Sequence, residues 1–229
     1  LPVFSLGRSQ EILLRLKELQ DTNKLDVNIP IYFDGKLAQA YTALYCNSKI
    51  LIDESKKDFF PRNLVAVNCE IREKLLQTDD CKIIVTTSGM GTYGPAQVYI
   101  PYFISKENAL ILFTGYTAEG SFGANLRNAE EGEIVKVGGL ICKKFADVSY
   151  CNEFSAHAKS EELIELLKKF NNLRGVLINH GQTETKDAFA EKILKEIDIS
   201  EVGILNREYF FRIGSYGCLL YTSPSPRDR

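Results

Sequence analysis

Short apolar runs alternate with amphipathic segments along this chain, and the alternation predicts an α/β arrangement with a largely parallel sheet. Strands are expected at Pro2 to Ser5, Pro30 to Phe33, Ile83 to Thr87, Ala109 to Thr114, Glu133 to Val137, Leu140 to Phe145, Val176 to Asn179 and Tyr209 to Ile213. Between them, Ser9 to Gln20 carries Ile12, Leu13, Leu16 and Leu19 at the helical period, with Ser9 placed to cap the first amides. Further helices are expected over Lys36 to Tyr45 and Glu70 to Leu76. Ser160, Glu161 and Glu162 supply a cap and early acids for another, whose apolar face is Leu163, Leu166, Leu167 and Phe170. The last helix spans Thr185 to Ile197, with Phe189, Ile193 and Leu194 inward. The polar stretch 127–133 marks a domain transition.

Composition narrows the reading only modestly. A chain of 229 residues holds one large domain or two small ones. No run approaches the roughly 18–20 apolar residues of a membrane helix, and no secretory leader opens the chain. A formal charge of -2 supplies no global basic field, so nucleic-acid binding would need a local groove. The six cysteines form no C-x-x-C pair, which argues against a zinc ribbon or a disulfide framework and for reduced thiols in a cytoplasmic protein. Leu1-Pro2-Val3-Phe4 starts without Met and is already strand-like, as expected of a fragment. Residues 218–229, with two Ser-Pro steps, break from the preceding strand and read as a non-native tail.

Four candidate strands run into unusual loops: Ser5 to Glu11, Thr87 to Gly91, Thr114 to Gly120 and Asn179 to Gln182. In open parallel sheets, ligands collect beyond the carboxyl ends of strands, where glycines let the backbone approach a phosphate. Arg8 beside Gly7 either offers a guanidinium fork to a phosphodiester or pairs with Glu11 on the helix. Gly115 to Gly120 is followed by Ser121-Phe122 rather than Lys-Ser or Lys-Thr, so an ATP reading fails, and Gly89-Met90-Gly91 lacks the full dinucleotide fingerprint. The two histidines, His157 and His180, occupy loop positions suited to ligating a metal or carrying a proton. Asp34, Glu119 and Asp147 read as charged surface positions and stay outside the catalytic set.

In order, Pro2 to Glu11, Thr87-Ser88-Gly89-Met90, Gly115 to Gly120, Phe154-Ser155-Ala156-His157 and Asn179-His180-Gly181 resemble the β-CASP branch of the metallo-β-lactamase-fold nucleases. The resemblance covers about residues 1–214. It implies a Rossmann-like, parallel-sheet β-CASP domain over 1–128 and the C-terminal, RNA-metabolising part of a metallo-β-lactamase αββα fold over 129–217, with the tail at 218–229. It further implies a zinc-dependent ribonuclease hydrolysing RNA phosphodiester bonds, with two zinc ions in the full-length parent. His157 then matches the histidine that assists the leaving oxygen, His180 a zinc ligand, and Ser88, Gly89 and Ser155 phosphate contacts beside Arg8. RNA is the implied partner, a second copy of the chain is a further option, and a membrane is not implied. The family's His-x-His-x-Asp-His motif is nowhere in this sequence, so this stretch alone is expected to hold an incomplete metal site and to be inactive. The first rival is a non-catalytic β-CASP homologue binding RNA or a protein partner. The second is an unrelated α/β domain binding a phosphorylated small molecule.

Overall fold

The computed structural model describes residues 1–47, 59–115, 117, 120–137, 139–151, 154, 158–205, 210–213 and 219–222. They fall into two compact units, Leu1–Ser155 and Ala156–Arg229. Mixed α/β structure with parallel pairing is present in both.

In the first unit, α1 (Arg8–Asp21), β1 (Ile31–Asp34), α2 (Lys36–Asn47), β2 (Leu64–Ala66), α3 (Cys69–Leu75), β3 (Ile83–Thr86) and α4 (Ala96–Phe103) follow one another. β1 lies between β2 and β3, parallel to both. Period-two alternation sends Ile31, Phe33 and Val85 into one core with Ile12, Leu13 and Leu16 of α1. Tyr32 and Ile84 face the opposite side, with Val67, Leu75 and Tyr99. Both sheet faces are therefore covered, which explains why these strands read as continuous apolar runs.

The Leu1–Phe4 segment runs alongside β3. Leu1 N–H donates to Ile84 O at 2.8 Å, Thr86 N–H to Leu1 O at 3.0 Å, and Val3 N–H to Thr86 O at 2.7 Å. The expected strand at Pro2 to Ser5 is thus real as parallel pairing, with a regular bridge only at Pro2 and Thr86. Thr114, just past β4 (Leu110–Phe113), donates its hydroxyl to Pro2 O at 3.3 Å. After β4 come α5 (Phe122–Asn128), the hairpin of β5 (Ile134–Val137) and β6 (Leu140–Lys143), and β7 (Asp147–Tyr150), which pairs parallel with β4.

The second unit places α6 (Ser160–Lys168), β8 (Gly175–Ile178), α7 (Thr183–Glu196) and β9 (Glu201–Ile204) around Ile164, Ile178 and Ile193. β8 and β9 are parallel, as a strand–helix–strand crossover requires. β10 (Phe210–Ile213) pairs antiparallel with β11 (Leu219–Thr222).

Several local expectations change. Ser9 does not cap α1: Gly7 holds that position in the left-handed region, and Ser9 Oγ donates backward to Phe4 O at 2.7 Å. Leu19 is exposed while Gln20 is buried, because Gln20 exchanges hydrogen bonds with Asn63 and the Arg62 amide. The cap of α6 is Lys159, whose N–H donates to the Glu162 carboxylate at 2.7 Å. The buried face of α6 centres on Ile164, leaving Leu166 and Phe170 exposed, and in α7 Ile193 is buried but Leu194 is not. The unforeseen elements are β2, α4, α5, β7, β9 and β11, and the first three have weak local signals. β2 is three residues long, α4 contains Pro101, and α5 contains Gly123 and relies on Ser121 Oγ accepting the Ala124 N–H.

Candidate nucleic-acid interface

At the carboxyl end of β1, Asp34 is 1% exposed, which overturns the expectation of a charged surface position. Its two carboxylate oxygens accept Arg72 Nε and Nη2, each at 2.7 Å, and Oδ2 also accepts the Tyr99 hydroxyl at 2.7 Å. Such a bidentate, charge-assisted pair is what makes a buried carboxylate tolerable. Hydrogen bonding to Asp34 holds the Arg72 guanidinium above its ordinary range. Burial first, and then the same carboxylate, push the Tyr99 hydroxyl up. One aspartate thereby ties α3 and α4 to the end of the central strand.

The main chain of Asp34 adds a third tie. Thr87 N–H donates to Asp34 O at 3.2 Å, and Thr87 O accepts the Ala96 N–H at 2.8 Å where α4 begins. Gly35 is glycine for a steric reason: a Cβ there would meet Thr87 Oγ1 at 2.5 Å. From this hub the chain loops through Ser88 to Gly94. Ser88 N–H donates to Tyr93 O at 3.0 Å, Tyr93 N–H to Ser88 Oγ at 3.1 Å, and Gly91 N–H to Ser88 O at 2.9 Å. Gln97 Nε2 closes the loop onto Thr92 O. The corner is a small rigid ring rather than a slack turn.

Phe4 joins this corner to its neighbours. A Cβ at Gly89 would meet the Phe4 ring at 2.9 Å, and one at Gly115 would meet it at 3.0 Å. Both glycines therefore serve packing on Phe4, whatever else they contact. Phe4 O accepts Ser9 N–H at 3.1 Å, which sets the start of α1 and its first residue, Arg8, at the same edge. Arg8 pairs with Glu11 at 2.9 Å and lies over the Phe154 ring, 5.4 Å from its centroid. Its side chain is only 12% exposed, and Nε is buried without a hydrogen-bond partner among the described residues. The helix pairing considered for Arg8 is thus made by one nitrogen, leaving part of the fork unmatched.

Arg8, Ser88 and Gly89 are brought to one edge of the first unit through Phe4. Ser155, His157 and Glu119 lie outside the described residues. Asp147 is exposed, as expected. In the second unit, His180 follows β8 with φ 63° and its N–H on Asn179 Oδ1 at 3.0 Å. This left-handed residue and Gly181 at φ 115° turn the chain sharply, and His180 is exposed. Sequence reasoning named Asp34 only as a surface acid and Phe4 only within a motif, and it did not single out Tyr93. An acid directly after a buried apolar strand and before glycine was the available signal for the first.

The family model described as the Beta-Casp domain matches residues 9–126, just over half of the chain. The one described as the Zn-dependent metallo-hydrolase RNA specificity domain matches residues 145–202. The chain belongs to the β-CASP family of metallo-β-lactamase-fold, RNA-related hydrolases. It is 34% identical over 203 residues to the RNase J-like protein of Methanocaldococcus jannaschii, covering 87% of this chain and 46% of that protein. Transcription termination factor FttA of Methanosarcina mazei is 27% identical over 223 residues, covering 91% and 34%. Probable RNase MJ4 of M. jannaschii is 34% identical over 186 residues, covering 80% and 41%. The chain thus spans less than half the length of these curated relatives.

Zinc belongs to the second matched family by its description. Among the described residues, no three His, Cys, Asp or Glu side chains come together as a metal site. His180 is a suitable imidazole donor but a single one, so the described donor set does not fit a zinc centre by itself.

Proposed function

We propose that this chain forms the RNA-holding part of a metal-dependent ribonuclease that hydrolyses RNA phosphodiester bonds. The observation that carries the reading is the ordered pair of matches, a β-CASP domain followed by an RNA specificity domain. The printed names of two relatives, an RNase J-like protein and a probable RNase, agree with it. In this reading the rigid Ser88–Gly89 corner and the partly unmatched guanidinium of Arg8 contact phosphates. A preorganised loop suits that task because it loses little conformational freedom on binding. Ser155 adds a phosphate contact and His157 assists the leaving oxygen, roles that rest on their motif. His180 serves as one ligand of a zinc site, of two ions in the whole enzyme, whose other ligands come from outside this stretch. The chain alone then binds RNA without cutting it.

The test is titration of a short single-stranded RNA into the chain at low and high salt, with and without zinc. Saturable binding that weakens with salt, and no cleavage, is the expected result. Arg8→Ala should weaken binding and flatten the salt dependence by about one phosphate contact. Absence of binding at low salt would overturn the RNA reading, and zinc-dependent cleavage by the pure chain would overturn its inactivity.

A further inference from the structure

The loop after β3 carries a side chain that the phosphate contacts do not use. Tyr93 is 73% exposed, well above Phe4, Phe60 and Phe170. Its main chain is nonetheless fixed, since both its N–H and its carbonyl are bonded to Ser88, at 3.1 and 3.0 Å. Ser88 sits directly after Thr87, the hub held by Asp34 and by the start of α4. The other exposed aromatics differ. Phe4, 39% exposed, is wedged against Gly89 and Gly115, Phe60 is stacked on Phe59 with ring centroids 4.7 Å apart, and Phe170 follows the end of α6 in the second unit. Tyr93 therefore combines a backbone held in place with a ring open to solvent. Turn chemistry alone does not call for an aromatic between Thr92 and Gly94, where a small polar residue satisfies the same hydrogen bonds.

We infer that Tyr93 is a base-stacking residue, and that its ring receives a nucleobase of a single-stranded RNA whose phosphate is held at Ser88–Gly89. This rests on the RNA-binding reading and adds to it recognition of the base. Single-stranded nucleic acid is held by positioned polar contacts to the backbone together with aromatic faces on which bases stack, and such stacking tolerates any base. The Ser88 N–H on the Tyr93 carbonyl and the Tyr93 N–H on Ser88 Oγ put the two residues side by side, so one nucleotide spans from phosphate contact to ring. Tyrosine offers this surface with only two rotatable side-chain bonds, and the ring of hydrogen bonds behind it removes the cost of ordering the loop.

Two ligands and two variants test the inference on the chain as it stands. Affinities are measured for a short oligoadenylate and for an abasic ribose-phosphate oligomer of the same length. Tyr93→Ala should weaken oligoadenylate binding about tenfold, the loss of one stacked base. Tyr93→Phe should retain the wild-type affinity, and the abasic oligomer should bind wild type and Tyr93→Ala equally. If Tyr93→Ala binds oligoadenylate like wild type, or loses affinity equally for both ligands, stacking is overturned while RNA binding stands. If the wild-type chain prefers oligoadenylate yet shows no measurable affinity for the abasic oligomer, the phosphate corner is overturned and stacking stands. A wild-type chain that binds neither ligand overturns the RNA reading and the inference with it.

Discussion

At the end of β3 the chain turns through Thr87 to Gly94, and at the end of β8 it turns through Asn179 to Gln182. Each follows a largely apolar strand whose last residue is buried, and each contains glycine in a left-handed conformation. The first turn is bonded to β1, to α4 and to itself, and its glycines are crowded by Phe4, Ile100, Phe122 and the Thr87 carbonyl. In the second, the Asn179 side chain accepts the His180 amide, and a Cβ on Gly181 would meet Lys186 Cγ only at ordinary contact distance, 3.4 Å. A strand end of the first kind is preorganised for a ligand before the ligand arrives. One of the second kind presents an exposed histidine from a sharp turn held by few contacts. The same local signature, strand then glycine, thus covers two physical designs.

The largest expected effect is a pH dependence of the isolated stretch, set by the ammonium that its start creates at Leu1. For the chain beginning at Leu1, burial lowers the terminal ammonium from 8.0 to about 5. Between those values the unfolded chain binds more protons than the folded one, so stability rises with pH from 5 to 8. At about 1.36 kcal/mol per pH unit, going from pH 8 to pH 5 should cost up to about 4 kcal/mol, and N-terminal acetylation should abolish the slope. Denaturant melts read by amide signals of each unit check this, and an equal slope in the second unit would break the distinction.

Next, Asp34→Ala removes the acceptor of three hydrogen bonds and leaves the part-buried Arg72 and the buried Tyr99 hydroxyl unmatched. The expected loss is about 3 kcal/mol, with faster hydrogen exchange at Ser88 and Gly91. Leu16→Ala in the α1 core should cost a comparable amount without selectively loosening that loop. If the two variants loosen Ser88 and Gly91 equally, Asp34 contributes stability alone.

The glycine comparison sharpens the contrast at smaller scale. Gly89→Ala forces a methyl into the Phe4 ring and should cost about 2 kcal/mol. Gly181→Ala makes only an ordinary contact with Lys186 but keeps an unfavourable φ, and should cost about 1 kcal/mol. Thermal unfolding of both variants gives the order, and a reversal would mean that Phe4 moves aside freely.

Much of this was legible in the chain itself. The apolar runs located β1, β3, β4 and β8, because a parallel sheet covered on both faces demands nearly continuous apolar strands, and also β5, β6 and β10, which pair antiparallel. The ordered glycine and histidine motifs pointed to the family that the matches then showed. Helix faces were less legible: Leu19, Leu166, Phe170 and Leu194 fit the period yet are exposed. A helical period selects an arc wider than the surface that a neighbour happens to cover.

What the sequence by itself determined was the element pattern, the family and the residues able to do chemistry, since these follow from periodicity and from residue type in order. What only the tertiary structure decided was the use of those residues. Asp34 became a buried tie because α3 and α4 bring Arg72 and Tyr99 to the end of β1, across 38 and 65 residues of chain. Gly89 and Gly115 became the two walls around Phe4 for the same reason. Side chains distant in sequence meet only when the sheet aligns its strand ends, and no local pattern encodes that distance.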